Sequence, residues 1–258
     1  VLVASPVIDL DAMEEYLDQV DGLGWLRRLE ATDEEDRPTN GEALVEAGGR
    51  LCYRSWDPQL NPNVTKVRED SAEYLSNVVA SQHGSVLEHA NYSFVFHNVS
   101  RVLTHELVRH RAGTAISQES LRYVRLTDIP FWFPDWARED PELLVRSHAL
   151  LEHMEAHQEW MAKHFGLDDA GVPFAEKKHK TSFMRRLAPD GVATGLLWTA
   201  NLRSLRHVIE LRTSPGAEEE IRLVFDQVAS IMKEQAPRLL ADFTRQDDGS
   251  WIPEHRKI

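Results

Sequence analysis

Long apolar runs, a second cysteine, an excess of positive charge and the common glycine-rich phosphate motifs are all missing from this 258-residue chain. Its apolar stretches are short and broken by charges, so none reads as a membrane span and no membrane partner is expected. Val1–Leu10 is apolar but has no basic leader and no small-residue cleavage site, so it is not read as a signal peptide. Cys52 is the single cysteine. An intrachain disulfide is excluded, and a cytoplasmic location fits. With a formal net charge of −13 the chain lacks the basic balance of a protein that grips nucleic acid over a broad face. No nucleic-acid partner is expected, and any bound phosphate must be held locally by a few arginines. There is no G-x-x-x-x-G-K-[ST], no G-x-G-x-x-G and no G-x-S-x-G, which excludes the usual nucleotide cradles and the serine nucleophile elbow. Internal repeats and low-complexity tracts are also lacking, so residues 1–258 are read as one domain.

What is present is a helical pattern with few strands. Ser71–Ser81 carries Tyr74, Leu75, Val78 and Val79 on one helical face. Tyr92–His97 is aromatic and branched and reads as a strand. Ser100 is an N-cap for a helix to about Arg111. Pro141–Phe165 reads as a long helix, and Ala175–Leu187 as another that stops before Pro189. Gly195–Thr199 reads as a strand, and Asn201 caps a helix through Leu211. Pro215 opens a last helix that ends near Pro237. Glu30–Asn40 and Ser55–Thr65 read as loops. Few strands among long helices, without βαβ alternation, predict an α+β fold with a mixed or antiparallel sheet.

The chemistry concentrates in His105–Arg125. Glu106 and Arg109 share a helical face, and Arg109, His110 and Arg111 close the helix, where basic side chains suit the macrodipole. Gly113, Thr114, Ser117, Gln118, Ser120 and Arg122 follow as a donor-rich loop of the kind that holds a phosphate or a base edge. His105 and His110 are five apart rather than four, so they do not form the helical zinc pair. His153 and His157 sit at i, i+4 among carboxylates, and a metal-dependent hydrolase is the alternative they suggest; a solvated polar face explains them better, and no metal is expected. A non-catalytic nucleotide-binding module is a further alternative. Cys52, between Leu51 and Tyr53, reads as a buried small hydrophobe.

Arg109-His110-Arg111 followed by SQESLRY, with HGSVLEH before it (His83–His89) and NLRSLRHVIELR after it (Asn201–Arg212), resembles the flavin-dependent thymidylate synthases. The resemblance runs from about Ala43 to Phe243. It implies an α+β homotetramer with FAD between subunits. It implies a reaction in which NADPH-reduced FAD supplies hydride, methylenetetrahydrofolate supplies carbon, and dUMP becomes dTMP without a cysteine nucleophile. By position it makes Glu106, Arg109, Gln118, Glu119, Ser120, Leu121, Arg122, Arg185 and Arg212 nucleotide contacts, with Ser120 and Arg212 nearest the chemistry. It makes His83, Ser85, Glu88, Arg109, His110, Arg111, Asn201, Arg203 and His207 flavin contacts. His207 stands where the family often has asparagine, and Gly216 where it often has histidine. Eight residues, Ala112–Glu119, separate Arg111 from Ser120, where the family usually has seven. The extra residue implies a looser sugar pocket and, as an alternative substrate, UMP.

Overall fold

The computed structural model describes residues 1–123, 126 and 130–256. In chain order its elements are β1 (Leu2–Ala4), α1 (Leu10–Gln19), α2 (Leu23–Ala31), α3 (Asn40–Tyr53), α4 (Ser71–Ala80), β2 (Asn91–Ser100), α5 (Arg101–Leu107) and β3 (Thr114–Gln118). There follow α6 (Asp135–Arg138), α7 (Pro141–His164), α8 (Phe174–Met184), β4 (Ala193–Asn201), α9 (Leu202–Thr213), α10 (Glu219–Gln235), β5 (Phe243–Arg245) and β6 (Trp251–Pro253). Four strands form one sheet in the order β1-β2-β4-β3, and β5 pairs antiparallel with β6. The fold is α+β, as the sequence predicts. Among the described residues, no helix is long and apolar enough to cross a membrane.

The chain divides into two compact units. One comprises Val1–Phe94, His110–Ala115 and Thr199–Ile258; the other comprises Val95–Arg109 and Ile116–Trp198. In the first unit, α9 buries Leu202, Leu205, Val208 and Ile209, and α10 buries Ile221, Phe225, Val228 and Met232. A second cluster there joins Leu17, Trp25, Leu26 and Leu29 to Ala47 and Trp56. In the other unit a smaller cluster joins Met161, Ala162, Leu167 and Met184.

α3 shows how the first unit is fixed. Thr39 and Glu42 form a capping box at its start. Farther along, Glu46 and Arg50 are both fully buried and paired at 2.7 Å. Glu46 Oε1 also accepts from Trp25 Nε1 at 2.9 Å. The Arg50 guanidinium donates to the carbonyls of Ser55 (2.8 Å) and Arg68 (2.7 Å) and lies over the Tyr74 ring at 4.3 Å. Burial pushes the Tyr74 hydroxyl up to about 12 against the nearby positive charge of Arg50. Arg50 thereby ties α3, the following loop and α4 together, and its partner Glu46 reaches α2 through Trp25, with the arginine's charge and donors met inside the protein.

The chain leaving α5 is held by α9. Asn201 Oδ1 accepts from Ser204 N at 2.8 Å, which caps α9, while Asn201 N donates to the Gly113 carbonyl at 3.0 Å. Ser204 Oγ donates to the Ala112 carbonyl at 2.7 Å, and Thr114 Oγ1 donates to that of His110 at 2.7 Å. Gly113 has φ +65°, and an added Cβ would overlap Asn201 Nδ2 and Ser204 Oγ. Glycine is needed at this position for its backbone angle and for its lack of side-chain volume.

Several elements differ from the sequence reading, each for a local reason. α5 ends at Leu107, not Arg111, and beyond it the carbonyls of His110, Ala112 and Gly113 are bound by Thr114, Ser204 and Asn201. Thr114–Gln118 is an edge strand rather than a loop; its alternating exposure fits a half-buried strand. α10 begins at Glu219, not Pro215. Residues 214–217 make a turn, and the Glu218 carboxylate receives the Glu220 and Ile221 amides at 2.9 and 3.2 Å. α2 reaches Ala31 and Asn40 already opens α3, so the predicted loop between them is shorter. Cys52 is exposed, not buried, because α3 turns Ala43, Val45, Glu46, Ala47, Gly49 and Arg50 inward. Val124 and Arg125 lie outside the described residues.

Two stability measurements check these contacts. Arg50→Met leaves the Glu46 carboxylate buried and uncompensated and should cost about 3–5 kcal/mol in urea unfolding, with part recovered in the Arg50→Met, Glu46→Met double variant. A single variant as stable as the parent contradicts the buried pair. Gly113→Ala and Gly171→Ala both force a side chain onto positive φ, at about 1–2 kcal/mol. Gly171 has open space around it. Gly113→Ala should therefore lose clearly more, and equal losses contradict the close approach to α9.

Candidate functional site

The residues singled out in the sequence sort themselves between the two units. His83, Ser85, Glu88, His110, Arg111, Asn201, Arg203, His207 and Arg212 lie in the first. Glu106, Arg109, Gln118, Glu119, Ser120, Leu121, Arg122 and Arg185 lie in the other.

In the first unit, α9 and the 3-10 turn Gly84–His89 carry most of the set. The turn buries Gly84, Val86 and Leu87, which leaves Ser85 and Glu88 exposed. Glu88 pairs with Arg203 at 2.6 Å, so the turn and the first residues of α9 are joined across the site. His83 packs edge-on against Tyr53, with centroids 5.8 Å apart. On the next turn of α9, the His207 ring meets the His110 ring edge-on at 6.1 Å. Near the end of the same helix, Arg212 Nε donates to His110 Nε2 at 2.7 Å. Arg111 is exposed and makes no hydrogen bond or ion pair among the described residues. Asn201 is buried, and its side chain is engaged in the cap. This unit therefore presents imidazoles, a hydroxyl and two exposed guanidinium groups on one structural frame.

In the other unit, the end of β3 and the turn after it are tied to β4. Glu119 N donates to the Gly195 carbonyl at 3.0 Å, and Glu119 Oε2 accepts from Gly195 N at 2.9 Å. Gln118 Nε2 donates to Thr104 Oγ1 at 3.2 Å. Ser120 starts a turn: its carbonyl accepts from Tyr123 N at 2.9 Å and its Oγ from Arg122 N at 3.4 Å. The turn and α8 line a cavity of roughly 180 Å³ through Leu121, Arg122, Tyr123, Phe174, Lys177, Lys178 and Arg185. The rings of Tyr123 and Phe174 stack at 5.8 Å with 2° between planes. Arg122 Nε is buried with no hydrogen-bond partner among the described residues.

Arg101 belongs to this cationic group as well. Burial lowers its pKa, and the Arg185 charge lowers it further against the attraction of Asp190. Its Nη1 reaches the Glu119 carbonyl at 3.5 Å. Sequence reasoning missed Arg101, Lys177 and Lys178; nothing in their local pattern marks them, because they join Arg122 and Arg185 through the fold. Arg206 on α9 is buried against Asp242 with Nη1–Oδ1 at 2.7 Å and serves the core. His153 and His157 line a separate open cavity with Met154, Gln158 and Arg186–Pro189.

Residues 35–238 match the family described as thymidylate synthase complementing protein. The chain is 35% identical over 216 residues to the flavin-dependent thymidylate synthase of Mycolicibacterium gilvum, covering 82% of this chain and 84% of that one. It is 35% identical over 219 residues to the protein of the same name from Mycobacterium tuberculosis, with coverage of 82% and 84%. Among solved structures it resembles thymidylate synthase X from Helicobacter pylori, crystallised with FAD and dUMP. The TM-score is 0.56 at 19% identity, over 77% of this chain and 92% of that one, a likeness of fold. Taken with the Arg109-His110-Arg111 and Ser120-to-Tyr123 segments that lie inside the matched span, these identities make the chain a member of the flavin-dependent thymidylate synthase family.

Proposed function

We propose that this protein is a flavin-dependent thymidylate synthase that methylates C5 of dUMP to give dTMP. The observation that carries the reading is the 35% identity, over most of both chains, to relatives of that name. FAD is its cofactor; NADPH and methylenetetrahydrofolate are its co-substrates. The working form in this reading is a homotetramer with FAD between subunits.

The donor set fits a flavin dinucleotide. Its pyrophosphate needs cations and hydroxyl or amide donors, and its ring needs flat neighbours. Arg111, Arg203 and Ser85 are exposed in one unit beside the His110 and His207 rings. In a chain of net charge −13, guanidinium groups grouped this way favour a bound anion. His83, Glu88 and Asn201 complete the set, Glu88 by orienting Arg203 and Asn201 by holding Gly113. The flavin brings the hydride chemistry, and the protein aligns it.

The nucleotide is assigned to Arg109, Arg122 and Arg185 for its phosphate and to Gln118, Ser120 and Leu121 for its sugar and base. Glu119 braces that turn on β4 through Gly195. Glu106 completes the group beside Arg109. Arg212 is assigned to the base, where a cation at a carbonyl oxygen stabilises the negative charge that makes C5 nucleophilic. No thiol is assigned to the reaction.

Titrating the protein with FAD should give a bound flavin spectrum that dUMP then perturbs. At saturating FAD, which allows for the second contact that the resemblance gives Arg109 with the flavin, Arg109→Ala should weaken dUMP by about 1.5–3 kcal/mol, the worth of one charge-assisted phosphate contact. A protein that ignores FAD, or an Arg109→Ala variant with parental dUMP affinity, contradicts the reading.

A further inference from the structure

The hydrogen bond between Arg212 Nε and His110 Nε2 joins two residues assigned to different ligands. At 2.7 Å it is short, and its polarity is fixed by chemistry. Arginine has only donors, so Nε2 of His110 carries a lone pair and no proton. A bond at Nε also sets the plane of the guanidinium and the direction of its terminal fork. It does this with one of the five N–H donors.

The acceptor is itself held. The His110 carbonyl is bound by Thr114 Oγ1 at 2.7 Å, and the next residues hang from α9 through Ser204 and Asn201. His207, five residues before Arg212 on the same helix, packs edge-on against the His110 ring. His110 therefore has a fixed backbone, a neighbouring ring on α9 and a partner at the end of that helix. Arg212 is half-buried and follows Leu211, with Thr213 anchored behind it by its bond to the Ile209 carbonyl.

We propose that His110 is a positioning residue for the nucleotide. Its Nε2 orients the Arg212 guanidinium toward the base, and because the His110 ring also lies against the flavin, flavin binding and nucleotide binding are coupled through this one bond. The proposal rests on the reading of the site as one for flavin and dUMP. It assigns His110 a task beyond flavin contact: an acceptor at this point is required whatever else the ring touches.

The test measures dUMP dissociation constants at saturating FAD, with FAD affinity measured in the same proteins. His110→Phe keeps a ring beside His207 but removes the acceptor. Arg212→Lys keeps the charge, leaves His110 intact and removes the planar Nε–H. Each should weaken dUMP about tenfold, the effect of losing one charge-assisted hydrogen bond, and the double variant should also lose only about tenfold. His110→Gln supplies a side-chain acceptor and should return to within about threefold of the parent. Hundredfold loss in the double variant overturns the proposal, as does His110→Phe with parental dUMP affinity or His110→Gln no better than His110→Phe. If dUMP binds the parent and Arg212→Lys weakens it while His110→Phe does not, only this inference fails. If the parent binds no dUMP, the functional reading fails with it.

Discussion

Everything in the first unit's candidate site depends on how residues 110–113 are held against α9. The backbone leaves α5 after Leu107, and three of its next carbonyls are captured from outside the helix by Thr114, Ser204 and Asn201. Asn201 contributes twice, capping α9 with its side chain and binding Gly113 with its amide. Glycine at 113 lets the two segments approach closely and take positive φ. As a result the Arg-His-Arg triplet lies outside the helix as an irregular, anchored stretch. His110 then faces α9, where it meets His207 and Arg212.

The rest of the electrostatics follows from a division of labour between paired and unpaired cations. Arg50, Arg206 and Arg238 are matched to Glu46, Asp242 and Glu42 and fix the fold. Arg109 and Arg111 are exposed and have no such partner among the described residues. Arg122, Lys177, Lys178 and Arg185 line one small cavity, which no acidic residue of the described set lines with them. Against a strongly acidic whole, these local groups are where an anionic cofactor or nucleotide is best accommodated.

Where the determinants were local, the sequence could be read. The α4 face, the β2 aromatics and the Ser100 and Asn201 caps depend on residues within a turn or two of each other, and all are present. The path of the chain after α5 was not legible, because Asn201 and Ser204, which hold it, are about ninety residues away (Ser204 to Ala112 is 92). β3 was missed for a related reason: a short polar segment becomes a strand only when β4 offers it an edge. α1–α3 were not read from the sequence, since their partners include the buried Glu46–Arg50 pair, and charged residues rarely mark a core. Cys52 was assigned by residue type, and the helical face decided otherwise. For the site, the motif residues were visible in the sequence, whereas Arg101, Lys177 and Lys178 became apparent only through the cavity and the charges around it.

The central claim is that carbon transfer to the pyrimidine here runs on flavin and bound nucleotide, with no enzyme thiol, although Cys52 is exposed. The most direct measurement is dTMP formation from dUMP by the Cys52→Ala protein supplied with FAD, NADPH and methylenetetrahydrofolate. The account predicts dTMP at the parental rate, strictly dependent on added or bound FAD. A folded, FAD-binding Cys52→Ala protein that makes no dTMP while the parent does, or dTMP formation that continues without flavin, would contradict it.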